Sequence, residues 1–406
     1  MRSWSRPEVP QLPGKGLIPR IWDTAAGTVV ATQPREHADI YVCGITPYDS
    51  THIGHAATYL AYDTLIRLWL DADLDVRYVQ NSTDVDDPLL ERAAATGVDW
   101  RDLAADQTER FRLDMESLGV IPPDHYIAVT ERMTEIADAV CALVDRDIAY
   151  RVGDDYYFDS AAAAEIAPWH LGDESHYGRA LMVSLSARRG GDPETAGKRD
   201  PIDPVLWRGA RPGEPSWDSR LGPGRPGWHI ECSVISNEFL DLPITVNGGG
   251  SDLIFPHHEF TAGHTIALTG TALACLHSHT GLVAYQGEKM SKSLGNLVFV
   301  AALTRAGVDP RAIRLAILGQ HYRADWEWTH DVLAEGKRRL TTWTEWADGA
   351  ASGESALLPV LRELLAEDLG TPGALAAIDS HIAGGNAATS GDLEAIHALL
   401  GVQLGR

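Results

Sequence analysis

Ala38-Asp39-Ile40-Tyr41-Val42-Cys43 is a short β-rich run that stops at a turn, Gly44 to Ser50, holding Pro47 and Asp49. His52-Ile53-Gly54-His55 follows. From His55 to Leu70 the apolar residues Tyr59, Leu60, Ile66, Trp69 and Leu70 recur at helical spacing. Asp75 to Gln80 (DVRYVQ) is a second β-rich run. Strand, helix, strand in this order predicts a βαβ unit, and therefore a parallel sheet with a crossover helix. The expected fold is α/β, with a Rossmann-like parallel sheet.

Outward from that unit, helices are expected at about 99–118 and 129–147, and part of a small hairpin at Asp155 to Phe158. The stretch Gly172 to Gly227, rich in Gly, Pro and Arg, reads as an irregular insertion. Sheet signal returns at Ile244–Asn247 and Leu282–Tyr285, with helices between. After Asp309 only helices are expected: 311–318, 330–346, 356–366, 372–382 and 392–400. This divides the chain into an extended arm (1–20), a catalytic domain (21–310, with an insertion at about 120–227) and a C-terminal helical domain (311–406).

Composition narrows the function. The 406 residues are 44 % hydrophobic and 22 % charged, ordinary for a globular enzyme. A net charge of −23 repels a phosphate backbone, so no nucleic-acid partner is expected. No apolar run is long enough for a membrane span, and the proline-rich start is no secretory signal. A cytoplasmic monomer is expected. Cys43, Cys141, Cys232 and Cys275 lie far apart, which suits thiols or metal ligands better than a disulfide framework.

Three segments carry chemistry. His52 and His55, three residues apart at a helix start, can both face a phosphate, which the unpaired N–H groups and positive end of the helix also favour. Their role would be to stabilise charge at an α-phosphate. Lys289-Met290-Ser291-Lys292-Ser293 supplies two lysines and two hydroxyls in a loop able to close over pyrophosphate. Gly248-Gly249-Gly250-Ser251-Asp252 follows a strand, and Asp252 can accept from a ribose hydroxyl. Together they predict ATP-dependent activation of a carboxylate.

With these segments in place the chain resembles a class I aminoacyl-tRNA synthetase of the cysteinyl branch. The matching stretches are Tyr41 to Tyr48, Gly227 to Ser233 (GWHIECS) and Gly249 to Glu259 (GGSDLIFPHHE). The resemblance implies a zinc ion held by Cys43, Cys232 and His257, with His258 a second candidate ligand. Two thiolates and one imidazole suit Zn²⁺ and leave one tetrahedral position for the thiolate of cysteine. It also implies a cysteine pocket lined by Thr46, Thr83 and Trp228. Gly44, Thr58, Asn81, Ser82, Gly250, Ser251, Asp252 and Val283 would meet the adenylate, with His52, His55, Lys289 and Lys292 catalytic. ATP would arrive with Mg²⁺. Cys141 and Cys275 read as packing residues.

Two departures redirect the acceptor. The cysteinyl enzymes carry a fourth ligand, a glutamate, where this chain has Thr261. The chain after His330 is short and acidic, with eleven Asp and Glu against five Lys and Arg, a poor surface for tRNA. Both features are similar to a sister family, the cysteine ligases of mycothiol biosynthesis, which join cysteine to the amino group of glucosaminyl-inositol. Arg188-Arg189-Gly190-Gly191-Asp192-Pro193 resembles that family's signature and is the expected neighbourhood of the amino sugar. A cysteinyl-tRNA synthetase and a non-catalytic paralogue that binds cysteine or zinc are the alternatives.

Overall fold

The structure, a computed structural model, describes residues 1–49, 51–290 and 296–405. Its centre is a five-stranded, all-parallel sheet in the order Ala274–Thr280, Ile244–Gly250, Ala38–Ile45, Val76–Ser82, His125–Ala128. The Ala38–Ile45 strand is buried nearly throughout, as a strand covered on both faces must be. From it the chain winds one way through Val76–Ser82 to His125–Ala128, then returns to its other side. The reversal lies between Ala38–Ile45 and Ile244–Gly250. At such a point the strand ends splay and leave a crevice.

The βαβ unit forms as expected, with the helix at Ile53–Asp71. That helix is buried on nearly all sides, because C-terminal helices cover the face turned away from the sheet. One apolar cluster runs from the sheet through this helix to Ile313, Leu361, Leu375 and Leu399. Charge is buried with it. Asp63 accepts from Arg67 Nε at 2.8 Å and also pairs with Arg314, while Ile121 N–H donates to its other oxygen at 2.8 Å. Arg314 donates onward to the carbonyls of Leu400 (2.6 Å) and Leu118 (2.9 Å). Burial pulls its guanidinium down to about 10, against the opposing pull of Asp63.

Several expectations need correction. The 172–227 stretch is not irregular throughout. It holds a helix, Arg179–Arg188, and the strands Val205–Gly209 and Gly224–Pro226. These two strands extend the hairpin of Ala149–Val152 and Asp155–Phe158 into a four-stranded antiparallel sheet. Strands this short lack readable alternation, and Gly224 and Gly227 look like breakers. They are glycine for another reason: a Cβ on Gly227 would sit 1.8 Å from the Val205 carbonyl. The strand Ala274–Thr280 escapes notice because its sequence, ACLHSHT, is mostly polar. The C-terminal part is not helical throughout either, since Trp326–Glu327 pairs in parallel with Val283–Tyr285. Cys141 is buried as expected, but Cys275 is exposed on the outer strand.

Candidate active site

A cavity of about 1260 Å³ opens at the splayed strand ends. On one flank stand His52, His55, Thr58, Gly250, Asp252 and Val283, on its floor Cys43, Gly44, Thr46 and Trp228. Residues from strand ends, two helix starts and the insertion thus meet in one space.

The histidines come from the start of the Ile53–Asp71 helix. Their rings stack with centroids 3.8 Å apart and planes at 24°. No acidic side chain occupies the first turn, so the positive helix end faces the cavity undiminished. Gly54 is tight: a Cβ there would approach the His52 ring at 2.9 Å. Thr58, one turn on, meets Thr280 hydroxyl to hydroxyl at 2.9 Å.

The glycine run divides its labour. A Cβ on Gly248 would strike the Tyr62 ring at 2.5 Å, and one on Gly249 would strike His258 at 2.9 Å. Two of the three glycines therefore serve packing. Tyr62 fixes this strand end, accepting from Gly249 N–H at 2.8 Å and donating to the Ser278 carbonyl at 2.7 Å. Gly250 is the one at the cavity, with half-buried Ser251 and the cavity-lining Asp252 after it. Arg189, from the insertion, donates to the carbonyls of Asp252 and Phe255 and ties this loop in place.

Cys43 lies near the end of the Ala38–Ile45 strand, Cys232 on the Trp228–Phe239 helix, and His257 just before the Glu259–Thr269 helix. Cys43 Sγ is 3.3 Å from Cys232 Sγ and 2.9 Å from His257 Nε2, and Cys232 Sγ is 3.2 Å from that same nitrogen. All three are buried, and among the described residues they form the cluster with metal-ligand geometry. The contact with Cys232, and then burial, push the Cys43 thiol up. Burial, aided by His229, His258 and His264, pushes His257 well down, so its imidazole is neutral. A neutral imidazole beside two crowded thiols is a donor set completed by a soft divalent cation, which would draw off the thiol protons. The Trp228 ring stacks on His257 at 4.1 Å, and His229 Nδ1 lies 3.0 Å from His257 Nδ1.

His258 turns away from the sulfurs, with its Nδ1 2.8 Å from His279 Nε2. Thr261 is buried, and its hydroxyl donates to the His257 carbonyl at 2.8 Å. It is committed to the backbone, with the His229 carbonyl as a second partner at 3.3 Å.

Asn81, Ser82 and Thr83 form a layer behind the cavity wall, all buried. Asn81 Oδ1 accepts from Gly44 N–H at 2.8 Å and Tyr41 O–H at 2.9 Å. Its Nδ2 donates to Thr83 Oγ1 at 3.2 Å. Thr83 in turn donates to Glu231 at 3.4 Å. Glu231 is buried, and burial above all holds its carboxyl well above the usual range. Lys289 sits in a short strand whose backbone pairs with Ala284, and Met290 reaches the cavity. The Lys289 side chain and Ser291, Lys292, Ser293 and Gly295 lie outside the described residues. Arg188 and Arg189, singled out by motif, do line the cavity, whereas reading by motif missed Glu231, Asp86 and the insertion's Arg208, Arg211 and Arg225. Asp86 stands in an acid-rich turn that looks solvated, and the arginines gather only through the fold.

Residues 29–338 match the family described as tRNA synthetases class I (C) catalytic domain. The chain is 59 % identical to the L-cysteine:1D-myo-inositol 2-amino-2-deoxy-alpha-D-glucopyranoside ligase of Clavibacter michiganensis, over 100 % of this chain and 99 % of that one. The protein of the same name from Thermobispora bispora is 54 % identical, with both chains covered in full. Among solved structures, a Mycobacterium tuberculosis methionyl-tRNA synthetase in complex with methionyl-adenylate superposes with a TM-score of 0.54 at 19 % identity, covering 89 % of this chain and 82 % of that one. That likeness speaks for the fold alone. The chain therefore belongs to the class I (C) tRNA synthetase family.

Proposed function

We propose that this chain is an ATP-dependent ligase that joins L-cysteine to the amino group of glucosaminyl-inositol through cysteinyl-AMP, releasing pyrophosphate and AMP. The observation that carries this reading is the Cys43–Cys232–His257 cluster, whose Cys43 lines the same cavity as the histidine-bearing helix start. The names of the relatives support the acceptor.

In the first half-reaction the cysteine carboxylate attacks the α-phosphorus of ATP, which enters with Mg²⁺, and the bond to pyrophosphate breaks. His52, His55 and the helix N-terminus stabilise the charge that builds on the α-phosphate, with Lys289 and Lys292 acting on the departing pyrophosphate. Thr58, Gly250, Ser251, Asp252 and Val283 hold the nucleotide. Cys43, Cys232 and His257 would hold a zinc ion, which would supply a soft Lewis acid favouring the thiol of cysteine over the hydroxyl of serine. Thr46 and Trp228 enclose the cysteine side chain. Asn81 and Thr83 act through what they hold, fixing Gly44 and the pocket floor, with Ser82 packed in the same layer. In the second half-reaction the sugar amine attacks the acyl carbon and AMP leaves.

Cysteine-dependent exchange of pyrophosphate into ATP tests the first half. Exchange with cysteine and not with serine is the expected result. Absence of exchange with either would remove every adenylation reading.

A further inference from the structure

The cavity continues past Trp228 into a wing walled by the insertion, where carboxylates and guanidiniums are abundant. Most of them are paired. Asp87 binds Arg208 at 2.7 Å and also pairs with Arg225; Arg211 binds Asp155 at 2.7 Å; Lys198 binds Asp192 at 2.8 Å. Such a wall offers donors and acceptors held in place with their charges compensated, which suits an uncharged polyhydroxylated ligand. Asp86 is different. It is half-buried on the cavity wall, and among the described residues no arginine, lysine or histidine forms an ion pair with it. One of its oxygens accepts the N–H of Asp87 at 2.8 Å at the start of the Asp87–Thr96 helix. Two more carboxylates of the wing lack an ion pair among the described residues: Asp203 is buried and already accepts from the Tyr150 hydroxyl at 2.8 Å and the Ser160 hydroxyl at 2.6 Å, and Glu91 is exposed at the rim.

Resting on the ligase reading above, we infer that this wing is the acceptor subsite and that Asp86 receives the sugar amine and takes its proton during acyl transfer. The neutral amine nitrogen bonds to the acyl carbon of cysteinyl-AMP. The carbon–oxygen bond to the phosphate breaks, and AMP leaves with that electron pair. One N–H proton passes to the Asp86 carboxylate and from there to water. Asp86 is suited to the exchange. Burial raises its carboxyl to about 6, with Asp87 raising and Arg225 and Arg208 lowering it. Glu231 and Tyr48 face it from other elements. Above pH 6 it is a carboxylate ready to accept a proton, and below pH 6 it is protonated and inert as a base.

Asp86→Asn separates this role from folding, because asparagine caps a helix about as well as aspartate. Three rates are measured on the full chain: cysteine-dependent pyrophosphate exchange, transfer of preformed cysteinyl-AMP to glucosaminyl-inositol, and its capture by hydroxylamine, a nucleophile that needs no base. The variant is expected to keep exchange and hydroxylamine capture within about twofold. Transfer to the sugar should fall on the order of 100-fold, the usual scale of one general base. The additional loss of transfer expected of the wild type as pH falls through about 6, beyond that from protonation of the sugar amine, should be absent from the variant. Unchanged transfer would overturn the inference. So would a raised KM for cysteine in exchange, which would assign Asp86 to the cysteine ammonium. A wild-type chain with no exchange at all would remove the ligase reading itself, a result distinct from either.

Discussion

At the scale of single residues, the site depends on three ligand atoms delivered by three separate elements. Cys232 is fully buried and its sulfur touches both other ligands. Cys232→Ala should therefore abolish zinc binding and cysteine-dependent exchange together, read by metal analysis beside the exchange assay. An active variant with no metal would refute the metal's role. Much of this site is readable from residues alone. Cys43, Cys232, His257, His52 and His55 sit in short motifs, and the fold brings Cys43 and both helix-start histidines to one cavity, with Cys232 and His257 packed against Cys43 behind its wall. What the motifs hide is direction. Asn81 and Thr83 point into the wall beneath Gly44 rather than into the cavity, and Thr261 spends its hydroxyl on a carbonyl. Such choices depend on tertiary neighbours that no local pattern contains.

At the scale of elements, the end of the Ala38–Ile45 strand is tightly constrained. Its register with Val76–Ser82 shifts between Val42 and Ile45. There a Cβ on Gly44 would lie 1.6 Å from the Asn81 carbonyl oxygen. Gly44→Ala must push the two strands apart, at a cost of about 1–3 kcal/mol for an overpacked site. It should lower the denaturation midpoint and weaken zinc binding as Cys43 moves. Native zinc affinity in a stable Gly44→Ala variant would show that the strand end is not what positions Cys43. The βαβ unit was legible because two β-rich runs flank a stretch whose apolar residues recur at helical spacing. The strands at Val205–Gly209 and Gly224–Pro226 were not, being short and glycine-bounded, and Ala274–Thr280 was masked by its histidines.

The Ile53–Asp71 helix is held from behind by the Asp63–Arg67–Arg314 cluster, all three side chains buried. Removing one member of a buried ion cluster leaves charge without compensation, typically at a cost of about 3–5 kcal/mol. Arg314→Leu should lower the urea midpoint by a corresponding amount and slow exchange through disorder at His52 and His55. An unchanged midpoint would contradict the proposed clamp.

At the scale of the whole molecule, the proposed reaction would use one crevice for both half-reactions. The proposed nucleotide flank is built by the parallel sheet and its first helix, the proposed acceptor wing by the insertion, and Cys43 lines the same cavity. Arg189 links the two sides by reaching from the insertion to the carbonyls of Asp252 and Phe255. The acidic balance of the chain, −23 overall, disfavours a polyanionic acceptor and is compatible with an amino sugar. No described helix is long and apolar enough to cross a membrane.

The central claim, that cysteine activated in this cavity goes to an amino sugar, is tested most directly by acceptor competition. The chain is supplied with ATP, cysteine, glucosaminyl-inositol and tRNA bearing the cysteine anticodon, and the acylated products are resolved by mass. The predicted result is cysteine in amide linkage to the sugar, one AMP and one pyrophosphate for each, with the tRNA uncharged. Cysteine on the tRNA with the sugar untouched would contradict the account.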